Sequence, residues 1–188
     1  MRKVILGMQI TMNGFIAGVN GDMSWVDVSD ETWKHNFEAF DSADTVLIGR
    51  VLYEGFLQYW PTAGKDPKAT KYDKKFLEWI EKTKKCVFTR TLKSAGWNNS
   101  EIMRGTPAEE VAKLKSLPGK NILLSGGANL AMAFAKENLI DEYRLLVVPR
   151  AIGGGLTFLG GIPGLLKLKL TSVRKLSTGT IAVHYAKT

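Results

Sequence analysis

Three short segments carry the residue types that hold phosphate. In Ser125-Gly126-Gly127-Ala128-Asn129, two residues without side chains stand where the apolar run Asn121-Ile122-Leu123-Leu124 gives way to a helical pattern. Backbone N–H groups and the positive end of a helix can then approach an anion, and a pyrophosphate fits. Gly49-Arg50 repeats the arrangement and adds a guanidinium able to make paired hydrogen bonds to phosphate; Thr89-Arg90 follows a third apolar run in the same way. Each has an ordinary reading too. A Gly-Gly pair also serves as a plain tight turn, the G-x-G-x-x-G fingerprint is absent, and a lone arginine commonly makes a surface salt bridge. The agreement of three segments is what points to a ligand.

Two acids could handle protons. Asp27 and Asp30 follow Trp25 and precede an aromatic helix face, where an apolar pocket would raise a carboxyl pKa; an aspartate there is equally explained by helix capping. Tyr53, Phe56, Tyr59 and Trp60 crowd one stretch and could stack on a planar heterocycle or simply pack a core. The run Ala151-Ile152-Gly153-Gly154-Gly155-Leu156 either lets backbone approach a ligand or is a loop. Nucleophilic catalysis lacks support, with no G-x-S-x-G elbow and no Cys/His pairing. One cysteine, Cys86, and two distant histidines, His35 and His184, exclude a familiar zinc spacing and an intrachain disulfide, so no metal is expected.

These residues need a scaffold of strands ending in helix starts. Val4 to Thr11 reads as a buried strand, followed by a glycine-punctuated loop over 13–22. Trp33, Phe37 and Phe40 fall on one helix face, with Ser29 or Asp30 as N-cap. Thr45 to Gly49 predicts a strand, Arg50 to Leu57 the start of a helix, Asp73 to Lys82 a helix with Phe76, Leu77 and Ile80 inward, and Lys85 to Thr89 a strand. Thr106-Pro107-Ala108-Glu109 combines an N-cap, a first-turn proline and a reciprocal acid, so a helix begins there, with Val111 and Leu114 on its apolar face. A helix over 128–136 buries Leu130, Ala131 and Phe134; Tyr143 to Val148 follows as a strand. Lys167 to Lys175 and Thr180 to Tyr185 form a C-terminal hairpin about Leu176-Ser177-Thr178-Gly179.

The chain of 188 residues is 45% hydrophobic and 23% charged, which excludes a disordered or disulfide-built chain and predicts one domain over 1–188. No apolar run is long enough for a membrane span or a secretory signal, so a cytoplasmic location is expected, with no membrane partner. The net charge of +8 is regional: residues 65–93 hold ten basic and four acidic side chains, and residues 143–188 hold seven basic and none acidic. Such a field attracts a phosphorylated cofactor or a nucleic acid, but no nucleic-acid recognition motif accompanies it, so no nucleic acid is expected as a partner.

Taken in order, Met8 to Gly18, Met23-Ser24-Trp25, Ile48-Gly49-Arg50, Thr89-Arg90, Ser125-Gly126-Gly127-Ala128 and Pro149-Arg150-Ala151-Ile152-Gly153-Gly154-Gly155 resemble the dihydrofolate-reductase-like superfamily. The likeness is to its bacterial branch related to the C-terminal reductase domain of the riboflavin-biosynthesis protein RibD, and covers essentially the whole chain. It implies a single-domain α/β fold of three layers: a mixed, mostly parallel central sheet, flanking helices and a C-terminal antiparallel hairpin. It implies NADPH as cofactor, with Arg50, Thr89 and Arg90 near the adenosine 2′-phosphate, Gly126, Gly127 and Ala128 on the pyrophosphate, Ile16 and Ala17 beside the nicotinamide, and Gly49, Ser125 and Asn129 as further cofactor-binding candidates. Asp30, five residues after Trp25, is similar in position to the family's substrate-contacting acid, with Asp27 and Trp25 beside it as further catalytic candidates; Gln9, Trp33, Phe56 and Trp60 are candidate substrate contacts. The implied activity is hydride transfer to a C=N or C=O of a small pterin- or pyrimidine-like heterocycle. Relatives suggest a homodimer. The alternative is a protein that binds NADPH without turnover, as a sensor or interaction module.

Overall fold

A computed structural model describes residues 1–188. In chain order its elements are β1 (Val4–Thr11), β2 (Phe15–Gly18), α1 (Asp30–Phe40), β3 (Ala43–Gly49), α2 (Arg50–Ala63), α3 (Lys71–Lys82), β4 (Lys84–Phe88), β5 (Ser100–Met103), α4 (Pro107–Ser116), β6 (Asn121–Leu124), α5 (Ala128–Lys136), β7 (Glu142–Val148), β8 (Gly155–Thr157), β9 (Leu168–Lys175) and β10 (Ile181–Lys187). Eight strands form one sheet in the order β5-β4-β3-β6-β1-β7-β10-β9. The pairs from β5 across to β7 are parallel, and β7-β10-β9 is antiparallel.

Strand alternation divides the core into two layers. Leu6, Leu47, Ile122 and Leu124 face α4 and α5, where Val111, Leu114, Ala131 and Phe134 meet them. Ile5, Val46, Ile48 and Leu123 face the other way, against Phe37 of α1, Tyr53 of α2, and Phe76 and Ile80 of α3. The three layers follow from topology. The chain runs from β1 outward to β3, β4 and β5, then returns through β6 to β7, and right-handed crossovers in opposite directions place their helices on opposite faces.

Several segments differ from the sequence reading. The stretch over 13–22 contains β2, which pairs antiparallel with β8, so the glycine run before Leu156 leads into a strand. At Gly155, with φ of 140°, a Cβ would collide with the Ala17 carbonyl oxygen, so this close pairing requires glycine. The helix expected from Asp73 starts at Lys71, because Thr70 caps it and Asp73 answers in a reciprocal capping box. Helix α2 continues through Pro61 to Ala63. Leu130 is half-buried, packed against the core rather than inside it.

Candidate functional site

The C-terminal ends of β4, β3 and β6 lie side by side in the sheet, so Thr89-Arg90, Gly49-Arg50 and Ser125 to Asn129 share one rim. A cavity of about 570 Å³ opens there, bounded by Gly49, Arg50, Arg90, Gly127, Ala128 and Asn129. Leu52, Phe88, Leu130 and Leu156 supply apolar walls. Two helices start at this cavity, α2 with Gly49 and α5 with Gly127 as N-cap, and neither has a side-chain cap. The other α-helices, α1, α3 and α4, are capped by Ser29, Thr70 and Thr106. At a helix start, the first N–H groups have no intrahelical partner, and a glycine N-cap leaves them to solvent or to an anion. A Cβ at Gly127 would meet nothing within 4 Å, while one at Gly126 would come 3.0 Å from Leu130, which seats α5 tightly against the turn.

The remaining cofactor candidates shape this rim. Arg50 pairs with Glu54 at 2.8 Å, one helical turn on, and both are exposed enough to exchange that contact for another. The Thr89 hydroxyl accepts from the backbone N–H of Thr91 and Leu92, so its side chain folds the loop that presents exposed Arg90. Arg104 tightens the same loop by donating to the carbonyls of Thr89 at 2.7 Å and Leu92; sequence reasoning missed it because its partners come from another strand end. Ile16 and Ala17 are buried in β2, and Ala17 stands opposite Leu156 of the cavity wall.

The acids part company. Asp27 is buried, and its carboxylate accepts from the hydroxyls of Thr32 at 2.9 Å, Thr178 at 2.6 Å and Thr180 at 2.8 Å, and from Ser29 N–H at 2.9 Å. Burial alone would raise its pKa, but the bonds from Thr178, Ser29 and Thr180 reverse this and hold it well below the usual carboxylate range. Asp27 therefore remains ionised and ties the start of α1 to the β9–β10 turn. Asp30 stays exposed, 3.2 Å from Lys71 Nζ, with Tyr72 Oη–H donating at 3.4 Å. Trp25 is buried and its Nε1–H has no partner in the chain.

Trp33, Phe56 and Trp60 belong to one aromatic cluster. Trp33 stacks on Tyr72 at 6.2 Å, Trp60 lies 4.4 Å from Phe76 and 6.2 Å from Phe56, and together they cement α1, α2 and α3. They border neither the rim cavity nor a second, smaller chamber under α1, which Gln9 and Ser125 line. Gln9 exchanges two hydrogen bonds with the backbone of Asp27, at 2.9 and 3.0 Å.

A mostly parallel sheet with helices on both faces, a C-terminal hairpin and a ligand-sized cavity across adjacent strand ends define an α/β protein with the dihydrofolate-reductase-like fold. A model of the RibD C-terminal domain matches residues 2–182, and the chain belongs to that family. The uncharacterized protein YyaP of Bacillus subtilis (strain 168) is 33% identical over 184 residues, covering 98% of this chain and 94% of YyaP. YwjB of the same organism, also uncharacterized, is 27% identical over 188 residues. A putative riboflavin biosynthesis protein from Shewanella sp. PV-4 shares the fold with a TM-score of 0.73 at 18% identity, covering 99% of each chain. A diaminohydroxyphosphoribosylaminopyrimidine deaminase/5-amino-6-(5-phosphoribosylamino)uracil reductase from Thermotoga maritima does so at 0.67 and 18% identity, over all of this chain and 57% of that one. Family membership supports a reductase-type oxidoreductase.

Proposed function

We propose that this protein is an NADPH-dependent reductase that delivers hydride to a C=N or C=O of a small, pyrimidine-like heterocycle. The observation that carries this reading is the rim cavity, where two glycine-capped helix starts and two arginines from three adjacent strand ends converge. These groups fit a dinucleotide. The N–H groups at the starts of α5 and α2 suit a pyrophosphate, the guanidinium groups of Arg50 and Arg90 suit a 2′-phosphate, and Leu52, Phe88 and Leu156 suit a flat apolar ring. NADPH, when bound, supplies the hydride.

The protein's part is orientation, exclusion of water and proton supply. Ile16 and Ala17, buried and anchored through β8 to the cavity wall, would fix the reacting ring's position. Asp27 holds α1 in place; its oxygens, engaged by four donors, are not offered to substrate. Asp30 has the accessible carboxylate at the same helix start, and in this reading it contacts substrate or relays a proton through water.

Loss of nicotinamide absorbance, followed over a panel of aminopyrimidines and pterins, tests the activity. Turnover with a pyrimidine is expected, with Asp30→Asn at least tenfold slower and unchanged in NADPH affinity. Tight NADPH binding without turnover of any candidate would favour a non-catalytic sensor, and a fully active Asp30→Asn would assign the proton to solvent.

A further inference from the structure

The two arginines of the rim cavity are held in different ways. Arg50 opens helix α2 and pairs with Glu54, so element and side chain both fix it. Arg90 lies on the loop after β4, exposed at the cavity edge, and its guanidinium makes no hydrogen bond or ion pair within the chain. Its aim therefore depends on the backbone that carries it. That backbone is clamped from two sides. From within the loop, the Thr89 hydroxyl accepts from the N–H groups of Thr91 at 3.2 Å and Leu92 at 3.0 Å. From outside it, Arg104 donates to the two carbonyls that bracket Arg90, through Nη1 to Thr89 at 2.7 Å and through Nη2 to Leu92 at 2.5 Å.

Arg104 can hold the loop because its own base is fixed. It directly follows β5, whose Met103 stands beside Phe88 in the parallel pair, so the residue after one strand meets the residue after the other. Behind it, the Gly105 N–H donates to Glu110, a buried residue, at 2.9 Å, and Thr106 and Glu109 close the start of α4 in a capping box. A Cβ at Gly105 would come 2.4 Å from Glu110 Oε1 and push that carboxylate off its donor. A guanidinium presents two Nη groups in a rigid fork and can serve two carbonyls at once, whereas an ammonium is a single centre on a flexible stem. Arg104 itself does not border the cavity. We infer that Arg104 is a positioning residue for cofactor choice: it holds the Thr89–Leu92 loop so that Arg90 meets the adenosine 2′-phosphate, and it contributes to that choice through Arg90. The inference rests on the NADPH reading of the rim cavity and deepens it, making discrimination between NADPH and NADH depend on a residue outside the cavity.

Calorimetric titration of the full chain with NADPH and with NADH tests this, in Arg104→Met, Arg104→Lys, Arg90→Ala and the double variant Arg90→Ala/Arg104→Met. Arg104→Met is expected to weaken NADPH at least fivefold and NADH less than twofold, with little change in melting temperature because the side chain is exposed. Arg104→Lys, which keeps the charge without the fork, should still lose at least threefold for NADPH. In the Arg90→Ala chain, adding Arg104→Met should change NADPH affinity less than twofold, since the clamp then holds no group that reaches the phosphate; residues acting independently would instead show additive losses. The inference is overturned if Arg104→Met keeps the native preference or weakens both nucleotides alike, if Arg104→Lys binds NADPH as the native chain does, or if the two substitutions add. A native chain that prefers NADPH while Arg104→Met changes nothing removes the clamp and leaves the cofactor reading. A native chain that binds no NADPH removes the cofactor reading itself, and the inference with it.

Discussion

Asp27 and His35 show how single residues commit α1 to its place. Asp27 is a buried carboxylate with four donors around it, two of them threonines from the β9–β10 turn. Asp27→Ala leaves those donors unsatisfied and should cost about 3 kcal/mol, read as a lower urea midpoint with little change in slope. Burial, opposed in part by Glu38, pushes His35 down to about 4. The unfolded chain then binds more protons than the native one between that value and the ordinary 6.5 of histidine, so stability falls as pH drops through this window, by about 3 kcal/mol. Asp27 acts lower: its stabilisation is present at neutral pH and is lost as pH falls below the normal carboxylate range. A urea series at stepped pH should therefore show a first decline that His35→Phe flattens and a later one that it does not. The sequence alone could not separate Asp27 from Asp30, since both read as helix-start acids. What distinguishes them is a turn some 150 residues away in the chain, which brings Thr178 and Thr180 to Asp27.

Among the elements, helix starts divide by use. Those of α1, α3 and α4 are closed by their own Ser or Thr side chains, whereas α2 and α5 begin with glycine and face one cavity. Local signals sufficed for much of this. Strand β1, β6, the start of α4 and the whole of α5 could be read from apolar runs and capping residues, because a few neighbouring side chains decide them. Strands β2, β5 and β8 are only three or four residues long and owe their existence to partners elsewhere, so no periodicity announces them. The three phosphate-suited strand ends were legible; their adjacency depends on β6 inserting between β3 and β1, which no local pattern encodes. The β2–β8 pair gives a prediction at this scale. Gly155→Ala forces its Cβ against the Ala17 carbonyl and should loosen the cavity wall at Leu156, weakening NADPH at least tenfold while the main sheet's circular dichroism persists. Unchanged affinity would detach β8 from the cofactor site.

Across the whole molecule, the sheet reverses direction of growth at β6, and the three segments suited to anions meet on the rim at that reversal, as ligand sites do in open α/β sheets. The basic excess of the sequence is broader than this site. Lys65 and Lys74 carry exposed charge away from the rim cavity and serve solubility, while only Arg50 and Arg90 of the arginines border that cavity. Under the proposed NADPH reading, cofactor preference is set by these two side chains rather than by overall charge. Calorimetric titration of NADPH and NADH into the native chain and into an Arg50→Ala/Arg90→Ala double variant tests this most directly. The account predicts that the native chain binds NADPH at least tenfold more tightly than NADH, and that the double variant binds the two alike. No binding of either nucleotide by the native chain, or an undiminished preference for NADPH in the double variant, would contradict it.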